Sequence, residues 1–536
     1  MVLDFFPLPN KLLFLAHLGA FTLIFVYIPM KIRLLVATFG LLSLSYAQTP
    51  NWAEDVAPIL YNNCTSCHNT GGIAPFSLVG YTAANNYKYS IKNAAVKRTM
   101  PPWPADPNYK RYAHERVLSS EEIQIISDWV DNGAAQGDLN KAPADPAPKT
   151  ETSIPAPDMK LKMPDYMVKT TQDEYRCFVL PTNLSAEKFL TAIEVVPGNM
   201  SVVHHVLVFH DTSSLPLQLD NADPAPGYLG FGGTGSNSSK MIGVWVPGQD
   251  PFQMPPGMGI RLEKKGYIIL QVHYPPLVNN VLDSSKVYFK FSSTPLREVF
   301  IGSPLNHVAP SLQNGPLFIP ANQTKSFTAK YTLPADVSIF AVAPHMHLLG
   351  KSITAYGVLG KDTSPYVHIP KWDFHWQRTY IFPKVQKVPK NTILWGQASY
   401  DNTTANLMNP NSPPKAVTLG EGTGDEMLLV YFWYSLYQNG DENIVIDGNA
   451  PKNLGQVAIE SLDVLVYPNP AQDKLHVQCS SAANLQCKLY DMHGVLQLQQ
   501  AFSKETTLDI ESLSPGSYIL SVENGETAVR KKIMRY

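Results

Sequence analysis

Residues 201–211 read SVVHHVLVFHD. Val, Leu and Phe around the paired histidines mark a buried β-strand. Side chains of a regular strand alternate between faces, so His204 and His205 should point apart. One shared site then demands a break in alternation, through local twist or a bulge. Similar apolar runs follow: YIILQVHY, SIFAVAPHMHLL and MLLVYFWYSL. They predict that residues 160–450 are built mainly from strands.

The chain has 536 residues, 45 of them proline, with a net charge of −2, 16% charged and 44% hydrophobic residues. About three to four domains are expected at this length. The composition is that of a globular protein, without the basic footprint of a nucleic-acid binder. The N-terminus carries an apolar stretch, Leu12–Ile28, about as long as a short membrane span. A second begins at Met30, with Lys31 and Arg33, the apolar Leu34–Leu44, and Ser45-Tyr46-Ala47 as a small-x-small site. Residues 1–47 are therefore read as a signal region with its start at Met30. A membrane anchor at 12–28 is the alternative. Both send the remainder out of the cytoplasm.

Residues 48–140 form the first unit. Its last helix is announced by the Ser119/Glu122 capping box, by Ile123, Ile126, Trp129 and Val130 at helical spacing, and by Gly133 at the stop. The segment 141–160, rich in Pro and Ala, reads as a semi-extended linker. Two β-sandwiches are predicted at 161–310 and 311–455, and a small C-terminal sandwich at 456–536.

The first unit contains NNCTSCHNT, with Cys64, Cys67 and His68 as C-x-x-C-H. Two thiols three apart on a helical turn suit haem vinyl groups, and the next imidazole suits the iron. A zinc or redox C-x-x-C is the alternative, but no further cysteine lies in this unit. Met100 is the only methionine between 48 and 140, set among prolines in RTMPPWP, and His114 the only other histidine. Met100 is the favoured sixth ligand and His114 the runner-up. The unit resembles the cytochrome c family, which implies one-electron transfer.

His345 and His347, in APHMHLLGK, are spaced to share one strand face and hence one metal. Imidazole suits Cu, Zn, Fe and Ni, and an added thioether favours Cu(I). VVHHVLVF, LQVHY, HMHLLGK and GDEMLLVYFWY occur in that order. Together they resemble the copper type II, ascorbate-dependent monooxygenases, the family of the peptidylglycine α-hydroxylating and dopamine β enzymes. The resemblance implies two tandem antiparallel β-sandwiches with one copper each. By motif, His204, His205 and His273 are implied as ligands of an electron-transfer copper, and His345, His347 and Met427 as ligands of the copper that meets O₂. Met427 rests on the DEM match alone. Nδ1 lies nearer the backbone than Nε2, which favours it at His204 and His205. Their rings should fall within about 4 Å of each other and of His273, as one metal requires.

The family's substrate-binding arginine and asparagine correspond here to Ala343 and Leu429; the aromatic Tyr431 is retained as a substrate contact. A glycine-extended peptide substrate is thereby disfavoured. His210, His307 and His368 are read as structural, and His375 as structural with an outer contact to a metal site as the alternative. In the C-terminal unit, LVYPNP, DMHG, LSPGSY and KKIMRY resemble the type A sorting domain of the type IX secretion system of Bacteroidetes. This implies export to the outer surface or the medium. Cys479 and Cys487 flank a turn-like segment, and either pair across a hairpin or stay free. The combined expectation is an exported, mainly β, multidomain monooxygenase. It carries two copper ions and one c-type haem, uses O₂ and an upstream electron donor, and acts on a small-molecule or peptide substrate. The alternative is a haem and copper electron-transfer protein without hydroxylation.

Overall fold

The computed structural model describes residues 49–147, 150–230, 233–450, 464–479, 485–491, 495–523 and 528–536, with a short antiparallel strand pair at Leu15–Leu18 and Phe21–Ile24. The signal segment that begins at Met30 lies outside the described residues. Among these residues no helix is long and apolar enough to cross a membrane.

The first unit is helical: Ala57–Asn63, Tyr81–Asn86, Lys88–Val96 and Ser120–Asp131. Their apolar faces close over Trp52, Leu60, Ile91, Ile126 and Trp129. Both bonds of the Ser119/Glu122 capping box are present. Gly133 then turns the chain with φ +93°, a left-handed conformation that a residue with a Cβ rarely adopts.

The linker expected at 141–160 is a linker only in its first part. Ile154 is buried with Ala192, Val196 and Tyr288. Thr152 Oγ1 and the Ser153 N–H both donate to Glu194 Oε2, at 2.6 and 2.7 Å. Glu151 pairs with Lys160 and Lys286. A single apolar residue among prolines was enough to strap this segment to the sheet behind it.

The first sandwich packs two sheets. One runs Arg297–Glu298, Met258–Leu262, Lys188–Val196, Lys286–Phe291, Met159–Lys162. The other runs Tyr228–Leu229, Glu174–Pro181, Tyr267–Tyr274, His205–Asp211, Lys240–Trp245. The second sandwich pairs Phe300–Asn306, Leu429–Leu436, Val337–His345, Tyr380–Val388 against Thr324–Thr332, Ile393–Asp401, Gly350–Leu359, Asp362–Ile369. The boundary expected at 310/311 therefore moves to before Phe300. Gly302 and Pro304 disguise that strand. They sit at a register shift between Gly302 and Leu305, where a missing N–H is tolerated.

The sandwiches share apolar core. Phe340, Ala341, Val385 and Trp433 of the second belong to the same buried cluster as Val206, Val208 and Phe252 of the first. Arg297 adds a bidentate pair with buried Asp441, both bonds 2.8 Å. The helical unit is also built in. Ala105 and Tyr112 lie in the core of the second sandwich. The Tyr112 hydroxyl donates to the Tyr366 carbonyl at 2.9 Å, and the Asp106 and Ala113 N–H groups donate to the His368 and Ile381 carbonyls. Lys110 lies over the Phe382 ring, and burial drives its amine down to about 7.

In the C-terminal unit one sheet runs Val464–Tyr467, Lys474–Cys479, Glu505–Asp509. It packs on a second, Leu496–Phe502, Leu485–Asp491, Gly516–Glu523, Ala528–Arg535. Cys479 and Cys487 do not pair: both are buried free thiols. They stand on strands of different sheets, and Cys487 Sγ is engaged with the Gln500 carbonyl instead.

Removal of the Tyr112 ring opens a cavity in the second sandwich and strands the Tyr366 carbonyl. Tyr112→Ala should cost about 3–5 kcal/mol, read as a lower midpoint in denaturant unfolding. An unchanged midpoint would show that the helical unit is merely tethered.

Candidate metal centre

His205 opens the strand His205–Asp211, and His204 precedes it in an irregular turn. The turn is fixed by the Val202 and Val203 N–H groups on the Asn199 carbonyl and by the His204 N–H on the His273 carbonyl. His205 and His273 are direct cross-strand partners, so they share a face. The twist or bulge expected within the strand at the histidine pair is not what joins them. The strand starts only at His205, after the apolar Val202-Val203, and His204 is free of alternation. The register shift in this strand lies further on, between Val208 and Phe209.

The three Nδ1 atoms converge: His204 to His205 3.2 Å, His204 to His273 3.1 Å, His205 to His273 3.4 Å. Ring centroids stay 4.8 to 5.4 Å apart, so it is the nitrogens and not the rings that meet. Such spacing surrounds a point about 2 Å from each nitrogen, a metal–imidazole bond length. His273 Nε2 donates to Asp173 Oδ1 at 2.7 Å, which leaves Nδ1 as the lone-pair nitrogen. Tyr175 stacks flat on His273, 4.3 Å between centroids. Burial drives His204 down to about 4 and His205 well below the usual histidine value. The bond to His273 holds the Asp173 carboxyl below its usual range.

His345 ends the strand Val337–His345, and His347 follows two residues on. Here the ring assignment is reversed. His345 Nδ1 donates to Gln377 Oε1 at 2.5 Å and His347 Nδ1 to the Asp425 carbonyl at 3.1 Å. Nε2 remains for a metal on both. Burial takes His345 to about 3 and His347 to about 4. Glu426, fully buried, accepts from the N–H groups of His347, Leu349 and Met427. It joins the His-x-His turn to the loop that carries Met427. Burial still raises its carboxyl to about 8.

One cavity of about 480 Å³ is walled by His204 and His205 on one side and by His345, His347 and Met427 on the other. Phe374 stands between the sets, its ring 6.2 Å from His204 and 5.8 Å from His347. Ala343, Leu429 and Tyr431 line the same space. So does His307, read above as structural. Its Nδ1 accepts from the Leu428 N–H, and only tertiary structure brings it beside Met427. His375 lines the cavity too, 6.1 Å from His204 and paired with Asp373, which raises its pKa. His210 is buried away from the cluster, and His368 bonds Thr354.

In the helical unit the His68 N–H bonds the Cys64 carbonyl at 2.9 Å, which winds the C-x-x-C-H into a turn. His68 Nδ1 donates to the Phe76 carbonyl at 3.1 Å and leaves Nε2 free. Both cysteines are free thiols, and burial pushes Cys64 up to about 12. Met100 lies on the loop after Lys88–Val96 and is 37% exposed. The runner-up His114 faces elsewhere, toward Asp447 of the second sandwich.

Residues 159–280 match the N-terminal domain, and residues 321–452 the C-terminal domain, of copper type II ascorbate-dependent monooxygenases. The chain carries both domains of a copper type II monooxygenase. Residues 465–535 match a secretion system C-terminal sorting domain, which marks the monooxygenase for export by type IX secretion to the cell surface or beyond. Among solved structures the chain is similar to the β-glucuronidase of Faecalibacterium prausnitzii, at 12% identity and a TM-score of 0.13, over 40% of this chain and 37% of that one. It is also similar to PNGase F, a glycosylasparaginase from Flavobacterium meningosepticum, at 8% identity and a TM-score of 0.24, over 52% and 97%. The monooxygenase thus spans little more than a third of the β-glucuronidase.

Two outcomes follow from this geometry. In the metal-free monooxygenase the buried imidazoles stay neutral where unfolded histidine, near 6.5, takes up protons. The unfolded state binds more protons, so stability falls as pH drops from about 6.5 toward 4. Glu426 acts in the opposite sense between 4.5 and about 8, as do the raised carboxyls of Asp220, Asp283 and Glu421 and the raised His375, but seven histidines are lowered. Melting of chelator-treated protein should therefore shift to lower temperature on acidification, and a rise would contradict the assignment. Glu426→Ala strands three N–H groups at about 1–3 kcal/mol each. A thermal midpoint close to that of the parent protein would show that water replaces the carboxylate.

Proposed function

We propose that the monooxygenase hydroxylates a small organic molecule with O₂ outside the cytoplasm, and that its electrons arrive through a haem on the helical unit. The observation that carries this reading is the single cavity walled by both ligand sets. A volume of about 480 Å³ is in the range of small-molecule sites.

Copper held there supplies O₂ activation and the storage of single electrons. His204, His205 and His273 would hold one ion through Nδ1. His345 and His347 through Nε2, with the Met427 thioether, would hold the other. The softer sulfur favours Cu(I) at that end. The balance is one substrate C–H, one O₂, two electrons and two protons, giving one C–OH and one water. Two one-electron sites match that demand.

A c-type haem supplies one-electron transfer. Cys64 and Cys67 would carry the thioethers, and His68 Nε2 would face the iron while the Phe76 carbonyl fixes its ring. Met100 is preferred over His114 as the opposite ligand, because His114 is committed to Asp447.

The substrate side of the cavity is poor in anchors for a carboxylate at the positions the family uses. Ala343 and Leu429 offer no hydrogen bond, while the Tyr431 hydroxyl stays in the wall. Leu207, Met241 and Val244 add apolar surface. At those positions the walls favour a substrate less polar than a glycine-extended peptide, and the guanidinium that lines the cavity is that of Arg378.

Two measurements decide the reading. Metal and pigment analysis of the exported protein should return copper at both histidine sites and covalent haem; zinc at both would sink it. Oxygen uptake in the presence of a reductant and a panel of small organic substrates should yield an oxygenated product, and His345→Ala should abolish it. Copper and haem that cycle electrons without such a product favour an electron-transfer protein instead.

A further inference from the structure

No motif fixes where the C-x-x-C-H turn sits relative to the histidine sites. In the structure it sits against both sandwiches. Gly248 follows the strand Lys240–Trp245 in a left-handed turn, φ +76°. A Cβ at Gly248 would lie 3.0 Å from Cys67 Sγ, 3.2 Å from Arg116 Nη1 and 3.5 Å from Arg378 Nη2. Three units therefore meet at one glycine. Arg116 clamps the junction: it donates to Ser66 Oγ within the turn and to both oxygens of Asp250 beyond the glycine.

Arg378 links this junction to the cavity. It lines the cavity wall together with His345, His347 and Met427. Among the described residues its Nε is buried without a hydrogen-bond partner, and its guanidinium lies 5.6 Å over the Trp103 ring of the helical unit. Among the described residues no ion pair explains a guanidinium there. The preceding residue, Gln377, accepts the 2.5 Å hydrogen bond from His345 Nδ1. A near-continuous chain thus runs from Cys67 Sγ past Arg378, through one peptide unit, to Gln377 and the His345 ring. Toward the three-histidine cluster the same segment offers ring contacts, Phe374 and His375 to His204 at 6.2 and 6.1 Å, and among the described residues no hydrogen bond. Electronic coupling decays more slowly through covalent and hydrogen bonds than across a gap.

We propose that Gln377 and Arg378 form the electron entry of the monooxygenase, so that reduction begins at the His345–His347–Met427 site rather than at the three-histidine cluster. This rests on the haem and copper reading proposed above. In each step one electron leaves a ferrous haem, which becomes ferric, and one Cu(II) becomes Cu(I). An external one-electron reductant restores the haem. Gln377 and Arg378 are positioning residues, and neither changes oxidation state.

The test uses the full chain with ferric haem and Cu(II), mixed anaerobically with a substoichiometric amount of dithionite. Haem absorbance should rise on reduction and then decay as the electron moves on, while freeze-quench EPR reports which Cu(II) signal is lost. His273→Ala, which removes the cluster copper, should keep the decay. His345→Ala should lose it. The reverse pattern overturns the inference. If His345→Ala does not fold, Gln377→Leu decides. It should keep the copper, alter the Cu(II) hyperfine pattern of that site and slow the decay by about tenfold or more. A normal decay rate in Gln377→Leu also overturns it. Unaltered protein that loads no haem or no copper fails at the underlying reading, before any electron route is in question, and the inference falls with it.

Discussion

Three imidazole nitrogens held 3.1 to 3.4 Å apart inside a protein tolerate that spacing only while uncharged. One protonated ring would place a cation against two neighbours in a medium that screens poorly. Burial keeps His204 and His205 neutral, and neutral imidazole is the form that binds metal. Neutrality alone does not aim a lone pair inward. Asp173 accepts the Nε2–H of His273 and leaves Nδ1 for the centre. At the second site the Gln377 side chain and the Asp425 carbonyl accept the Nδ1–H groups, so Nε2 faces the cavity. The outer contacts thus select opposite nitrogens at the two ends of one space. Both selections depend on a dry, closely packed surround.

That surround is supplied by fusing the two sandwiches. Phe340 and Trp433 reach into the first sandwich's core, and Arg297 is locked to Asp441 across the boundary. An interface that is both apolar and bidentately bridged resists opening. Glu426 performs the equivalent task within the second sandwich, where one carboxylate fixes the backbone of both ligand-bearing loops. A carboxyl raised to about 8 that still accepts three N–H bonds shows how strongly burial opposes its charge there. Such a residue is retained for geometry more readily than for net stability.

Much of this was legible in the sequence, and the misses have physical causes. Strands in the middle unit declared themselves through apolar runs, and the capping box placed the helix Ser120–Asp131. His-x-His reads locally because two residues span one pleat period. The convergence of His204 with His205 did not read locally. It depends on where pairing starts, which is set by the His204 N–H on the distant His273 carbonyl. The strand Phe300–Asn306 was hidden by Gly302 and Pro304, since a bulge accepts residues that a regular strand rejects. His307 and Arg378 carried no motif. Each acquires meaning only from neighbours more than a hundred residues away, Leu428 for one and Cys67 for the other. The pairing suggested for Cys479 and Cys487 failed for a related reason: nearness in sequence across a turn does not put two strands in one sheet.

The docking of the helical unit follows from the same logic of shared cores. A domain joined by a flexible tether must search for its partner, and its contacts stay polar and small. Here Tyr112 and Ala105 are core residues of the second sandwich, and backbone N–H groups from the same loop bond the carbonyls of its strands. Undocking would expose that core and strand those groups, so the C-x-x-C-H turn keeps a fixed address. Gly248 allows Cys67 to approach as closely as it does, because any Cβ there would crowd the sulfur and the Arg116 guanidinium at once. A fixed junction at van der Waals contact makes the distance from the turn to the cavity a property of the fold, independent of diffusion and of linker length. The Pro-rich segment 141–160 then has no mechanical part in bringing the units together, which agrees with its second half being strapped down at Ile154.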